Sequence, residues 1–115
     1  MNFNEYQKQA LLTELMERPQ KVNANDPSFV AKVLGLAGEA GEVSDKIKKI
    51  IRDQNGIIGV NNKIELEKEL GDVLWYVAII SDYLGINLDK VATTNIEKLK
   101  SRKERGASRG SGDNR

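Results

Sequence analysis

The sequence predicts an all-α fold, a four-helix bundle completed by homo-oligomerisation. Three observations point there. Apolar residues return at three- and four-residue steps in separate stretches, the period of a helix buried along one side. Boundary residues bracket those stretches, with Asp26-Pro27 at one start and Pro19 and Gly85 at two ends. The third stretch is apolar on more than one side, so it is expected at the centre of the bundle and at a subunit interface.

The first helix is expected from about Phe3 to Glu17, with Asn2 or Asn4 as its cap. Tyr6, Ala10, Leu11, Leu12 and Leu15 form its apolar side. Pro19 ends it, and Gln20 to Asn25 reads as polar loop. The second helix begins at Asp26-Pro27 and continues to about Arg52. Phe29, Val33, Leu36, Ala40, Val43, Ile47 and Ile50 make one stripe, and Glu39, Glu42, Lys46, Lys49 and Asp53 a neighbouring one. Gly35, Gly38 and Gly41 interrupt it, each costing about 1 kcal/mol relative to alanine. Such a run suits either close helix packing or room for a ligand.

Asn55 to Asn62 reads as a loop carrying an apolar patch, Ile57, Ile58 and Val60, that would suit a short helix or a hairpin. The third helix is expected from about Lys63 to Leu84, with Gly85 as its stop. Leu66, Leu70, Val73, Leu74, Val77 and Ile80 form its broad face, and Trp75 and Ile79 extend the apolar surface. The fourth helix runs from Asn87 or Leu88 to about Glu104. Its inward side mixes Leu88, Val91 and Leu99 with Asn95, Lys98 and Arg102. Residues 1–105 thus read as one domain and 106–115 as a Gly/Ser/Arg-rich C-terminal tail. From Lys100 to Arg115 six Lys or Arg face two acids, a local net of +4 that could fold over a polyanion.

Composition narrows the chemistry. The 115 residues contain no cysteine and no histidine. That removes disulfides, thiolate nucleophiles, the usual zinc ligand and the commonest general base. Hydrophobic residues make up 39 % of the chain, a modest core, so part of the apolar surface is expected between subunits. A net charge of +1 gives nucleic acid no special pull. With no leader or long apolar span, a cytoplasmic location is expected.

The chemistry-bearing pattern is two carboxylate pairs at helical spacing, Glu39-x-x-Glu42 and Glu69-x-x-Asp72. Residues three apart share a helix face, so each helix presents two acids beside its buried stripe. Four acids gathered beside a core need positive charge among them, and oxygen donors favour a hard divalent cation, Mg²⁺, with Mn²⁺ as a substitute. From spacing alone, a metal site and a solvated acidic face stand as alternatives. The fitting chemistry is phosphoryl or pyrophosphoryl hydrolysis, since Mg²⁺ binds phosphate oxygens and acidifies water. Lys46 lies one turn beyond Glu42, and Lys98 and Arg102 are one turn apart, placed to meet phosphate charge unless they are ordinary surface cations. Asn95 could hydrogen-bond a base or sugar. Glu-x-x-His, which a di-iron bundle requires, is absent.

Gly35-Leu-Ala-Gly38-Glu39-Ala-Gly-Glu42-Val43 and the later Glu69-Leu-Gly-Asp72-Val-Leu-Trp75-Tyr76 together resemble the MazG-like nucleotide pyrophosphohydrolases of the all-α NTP pyrophosphatase superfamily. Asn4-Glu5-Tyr6-Gln7 and Asn95-x-x-Lys98-Leu99-x-x-Arg102 also resemble that family, and the ending Gly110 to Arg115 is similar to the tail of a small single-domain branch. The resemblance implies hydrolysis of a nucleoside triphosphate to the monophosphate and pyrophosphate, in nucleotide-pool cleaning or dNTP control. It implies Glu39, Glu42, Glu69 and Asp72 as catalytic metal ligands for Mg²⁺. It implies Lys46, Lys98 and Arg102 near the phosphates, Asn95 near the nucleoside, and a homodimer or dimer of dimers. Arg109 and Arg115 are expected to close over the phosphates, and Glu42, beside Lys46, is the first candidate for the base. The alternative is a non-catalytic helical oligomer that binds a metal–nucleotide or a protein partner. A nucleic-acid-binding dimer using the tail ranks below both.

Overall fold

The computed structural model describes residues 1–115 as four helices and no strand: α1 (Phe3–Leu11), α2 (Pro27–Gln54), α3 (Val60–Tyr83) and α4 (Leu88–Glu104). Short-range chemistry sets most of their starts. The Asn2 side chain accepts the Glu5 N–H at 2.9 Å while the Glu5 carboxylate accepts the Asn2 N–H at 3.0 Å, a reciprocal cap on α1. Asn87 caps α4 by accepting the Lys90 N–H at 2.9 Å. Pro27 opens α2, where its missing N–H leaves one fewer unpaired donor. Asp26 does not cap that helix. Its carboxylate accepts the Asn23 N–H at 2.6 Å and so fixes the preceding loop.

Three boundaries differ from the sequence reading. α1 stops at Leu11, not Glu17. The chain leaves the helix through turns at Thr13 and Glu14, and both residues find distant partners there. The Trp75 indole N–H donates to the Thr13 hydroxyl at 2.7 Å, and the Glu14 carboxylate pairs with Lys32 at 2.9 Å. Leu12 and Leu15, expected on the apolar side, are 80 % and 97 % exposed. α3 starts at Val60, before Lys63, because the Asn62 side chain accepts the Gly59 N–H at 2.9 Å. α2 runs two residues past Arg52 to Gln54 and ends at Asn55, which takes the left-handed conformation at φ 52°. The patch at 57–60 is therefore a short connection leading into α3, not a hairpin.

α3 is the central element. α2 packs along it as a long antiparallel hairpin, while α1 and α4 meet it and each other. The small core lies among α1, α3 and α4: Ala10, Ala78, Ile79, Tyr83 and Leu88, with Phe29 and Trp75 against them. Gln7 fastens this corner. Its buried side-chain amide donates to the Ala78 and Ile86 carbonyls, both at 3.1 Å, and accepts the Leu88 N–H at 2.9 Å. That pairs the Ile86 carbonyl and the Leu88 N–H at the turn between α3 and α4 and ties them to the last turns of α3.

Much apolar surface stays uncovered. Leu34, Ile51, Ile64 and Leu70 on the hairpin are exposed, as are Ile96 and Leu99 on α4. The radius of gyration, 17.0 Å, exceeds the roughly 13 Å of a compact chain this long. No helix is long and apolar enough to cross a membrane.

Candidate metal and phosphate site

The antiparallel register of α2 and α3 builds the site. Where they cross, the Tyr76 ring lies against Gly35: a Cβ there would stand 2.3 Å from two ring carbons. One turn further along α2 is Glu39, and one turn back along α3 is Asp72. The same close approach therefore brings the two acidic motifs together. Carboxylate oxygens of Glu39, Glu69 and Asp72 all lie within 4.8 Å of one another. Held by one Mg²⁺, with oxygens about 2.1 Å from the ion, the three carboxylates would have to draw closer together than this. Three oxygen donors with no nitrogen or sulfur suit a hard cation.

Glu42 is exposed and stands outside this triad. Its charge still reaches Glu39. Burial first, then Asp72, Glu69 and Glu42, raise the Glu39 carboxyl above the ordinary carboxylate range. Asp45, further along the same helix, shows the opposite. Hydrogen bonds from Lys48 and Lys49 lower it to about 2. Two acids of α2 thus stand in opposite settings, Glu39 held against other acids and Asp45 neutralised by lysines. Tyr6 marks where α1 joins the site, its hydroxyl pKa raised by burial and by the Asp72 charge.

Lys46 sits at the edge of the triad. Its Nζ lies 3.2 Å from Glu69 and 3.8 Å from Glu65. The Glu69 hydrogen bond, partly opposed by desolvation, raises its pKa. The three helical glycines divide between the two roles open to them. Gly35 serves close packing, whereas a Cβ at Gly38 or Gly41 would meet nothing within 4 Å, leaving open space beside Glu39 and Glu42.

The remaining candidates lie elsewhere within the chain. Lys98 and Arg102 converge on Asp113, at 3.1 and 3.0 Å. Asn95 is exposed and lines a groove of about 540 Å³ on α4. Arg115 donates to the Ala107 carbonyl at 3.2 Å and to that of Gly112. Arg109 is exposed. None of these residues bonds to the triad in a single chain.

Sequence reasoning missed the partnership of Tyr76 with Gly35, the Glu65 contact to Lys46, and Asp113. Gly35 was the available signal for the first. Asp113 is the sole acid after Glu104, which is too slight a signal to single it out. The buried pair Lys32–Glu14 was also missed. Lys32, 5 % exposed, stands 5.7 Å from the Trp75 ring centre.

The fold and the triad together define a class: an all-α protein with three clustered carboxylates that could hold a metal ion. The comparisons go further. The model of the MazG nucleotide pyrophosphohydrolase domain matches residues 27–106, a span that includes both acidic motifs, and the chain belongs to that family. It is 52 % identical over 82 residues to the Gene 37 protein of Mycobacterium phage L5, covering 71 % of this chain and 72 % of that one. No solved structure matches it significantly.

Proposed function

We propose that this protein is a Mg²⁺-dependent nucleoside triphosphate pyrophosphohydrolase, converting an NTP or dNTP and water to the monophosphate and pyrophosphate. The observation that carries the reading is the triad of Glu39, Glu69 and Asp72 in a chain of this family. These three residues would hold the ion, which when bound supplies positive charge to phosphate oxygens and acidifies water. Glu42, free of the triad, is the carboxylate available to take a proton from the attacking water. Lys46 would trade its contact with Glu69 for a phosphate oxygen once the acids are neutralised. The open space beside Gly38 and Gly41 admits the polyphosphate.

The active form is a homodimer or a dimer of dimers. The exposed apolar side chains of the α2–α3 hairpin and of α4 support this, as does the open shape. A second copy would also supply what one chain lacks, bringing Asn95, Lys98 and Arg102 to the triad across the interface. The role is nucleotide-pool cleaning or dNTP control.

The test is release of monophosphate and pyrophosphate from a panel of canonical, deoxy and modified triphosphates, with Mg²⁺ and with EDTA. Metal-dependent release of both products is expected. Silence across the panel from a folded protein that still binds Mg²⁺ refutes the enzyme and leaves a nucleotide-binding oligomer.

A further inference from the structure

We infer that Asp113 is a built-in competitor for the anion site of α4. It holds a carboxylate oxygen between Lys98 and Arg102 that a substrate polyphosphate must displace. This rests on the reading of Lys98 and Arg102 as phosphate ligands, and carries it to how access to them is controlled.

The geometry is specific. One oxygen, Asp113 Oδ1, receives both Lys98 Nζ at 3.1 Å and Arg102 Nη2 at 3.0 Å. Arg102 Nη2 also donates to the Gly112 carbonyl at 3.2 Å, so side chain and backbone of the returning segment share one guanidinium. Two cations on successive turns of a helix, bridged by a single anionic oxygen, match the way a phosphate is held.

The segment is shaped for this return. Gly106, Gly110 and Gly112 have φ of +69°, +124° and +84°, conformations that side-chain-bearing residues rarely adopt. The fold-back is fastened at both ends of the turn. Arg115 Nε donates to the Ala107 carbonyl at 3.2 Å, and Arg105 donates to the Arg115 main-chain oxygen at 2.8 Å.

The contact is also displaceable. Arg102 is 4 % exposed, yet its Nε–H is buried without a partner. One carboxylate therefore leaves a buried donor unmet and one of two positive charges uncompensated. A polyphosphate offers more oxygens and more charge. The Asp113 side chain is 80 % exposed, so water takes over its half of the contact as it leaves, while the buried Arg102 stays in place to meet the incoming anion. The occupant is thus bound well enough to be seated and loosely enough to yield.

The test compares Asp113→Asn with wild type, and with Glu97→Gln as a control for losing one negative charge on α4. Binding of inorganic tripolyphosphate in Mg²⁺ is followed by calorimetry, and the KM and kcat for a hydrolysed triphosphate are measured alongside. Removing the competing carboxylate, itself solvent-exposed, should tighten tripolyphosphate binding roughly threefold to fivefold in Asp113→Asn alone. KM should fall by the same factor at unchanged kcat. Equal affinity in Asp113→Asn and wild type overturns the inference, and so does an equal gain in Glu97→Gln. The two readings separate cleanly. Tighter tripolyphosphate binding without turnover in any variant upholds the competitor and rejects the enzyme. Turnover without tighter binding does the reverse.

Discussion

Replacing Gly35 by alanine tests how the site is assembled, at a residue with no charge to contribute. The added Cβ would stand 2.3 Å from two ring carbons of Tyr76 and 2.7 Å from its hydroxyl oxygen. Carbon atoms settle near 3.5 Å, so ring or helix must retreat by about 1.2 Å. The ring also meets Trp75 edge to face at 4.9 Å, so its retreat either breaks that contact or pushes α2 and α3 apart. Overpacking of this kind costs about 1–3 kcal/mol, against a helix-propensity gain of about 1 kcal/mol for alanine. The net is a loss of up to about 2 kcal/mol, or a fall of up to about 8 °C in thermal midpoint at roughly 4 °C per kcal/mol. The functional cost is larger. Donor oxygens now within 4.8 Å would separate, when a Mg²⁺ ion needs them closer. Disturbing the support of metal ligands costs about tenfold to a hundredfold in affinity. The assay is thermal midpoint against Mg²⁺ concentration, with Gly38→Ala beside it, because a Cβ at Gly38 meets nothing. Gly38→Ala should hold or gain stability and bind the ion normally. Pairing Gly35→Ala with Tyr76→Leu should restore part of both losses. A Gly35→Ala protein as stable as wild type, with unchanged Mg²⁺ affinity, would refute the reasoning.

Further predictions address the charges directly. Alanine at Glu39 or Glu69 should abolish pyrophosphate release while leaving the circular dichroism spectrum of a folded helical protein, and turnover in either variant would sink the site. The raised Glu39 carboxyl means the folded chain holds a proton there that the unfolded chain has lost, so this contribution favours folding at low pH and is lost as pH rises through the raised value. In EDTA, Glu39→Gln should therefore melt above wild type at neutral pH, with the gap closing as pH falls into the ordinary carboxylate range. A gap independent of pH would contradict the clustering. Glu14→Ala leaves the buried Lys32 ammonium without its partner and should cost about 3 kcal/mol in chemical denaturation. The double variant Glu14→Gln/Lys32→Met should cost less than Glu14→Ala, because it removes both buried charges and keeps the volume, and the reverse ranking would mean that the pair is not buried in solution.

The features legible in the sequence are those written within one or two helical turns. The carboxylate pairs, the Asn2 and Asn87 caps, the Pro27 start and the Gly85 stop all follow from local spacing and local hydrogen bonds. The family followed from the same motifs, whose spacing is that of one helix face. The acids could be paired within a helix but not across helices. Tertiary structure decided that Glu39 joins Glu69 and Asp72 while Glu42 stays outside, because the register depends on where Tyr76 meets Gly35. It decided that α1 ends at Leu11, because Thr13 and Glu14 bond Trp75 and Lys32, which lie far along the chain. It also set Asp113 between Lys98 and Arg102, through a fold-back that depends on three glycines and has no periodicity to read. Sequence by itself determined which residues could carry the chemistry, since helix period and side-chain type are local properties. Only the packing of one helix on another decided which of them meet, since that is a matter of register between segments remote in the chain.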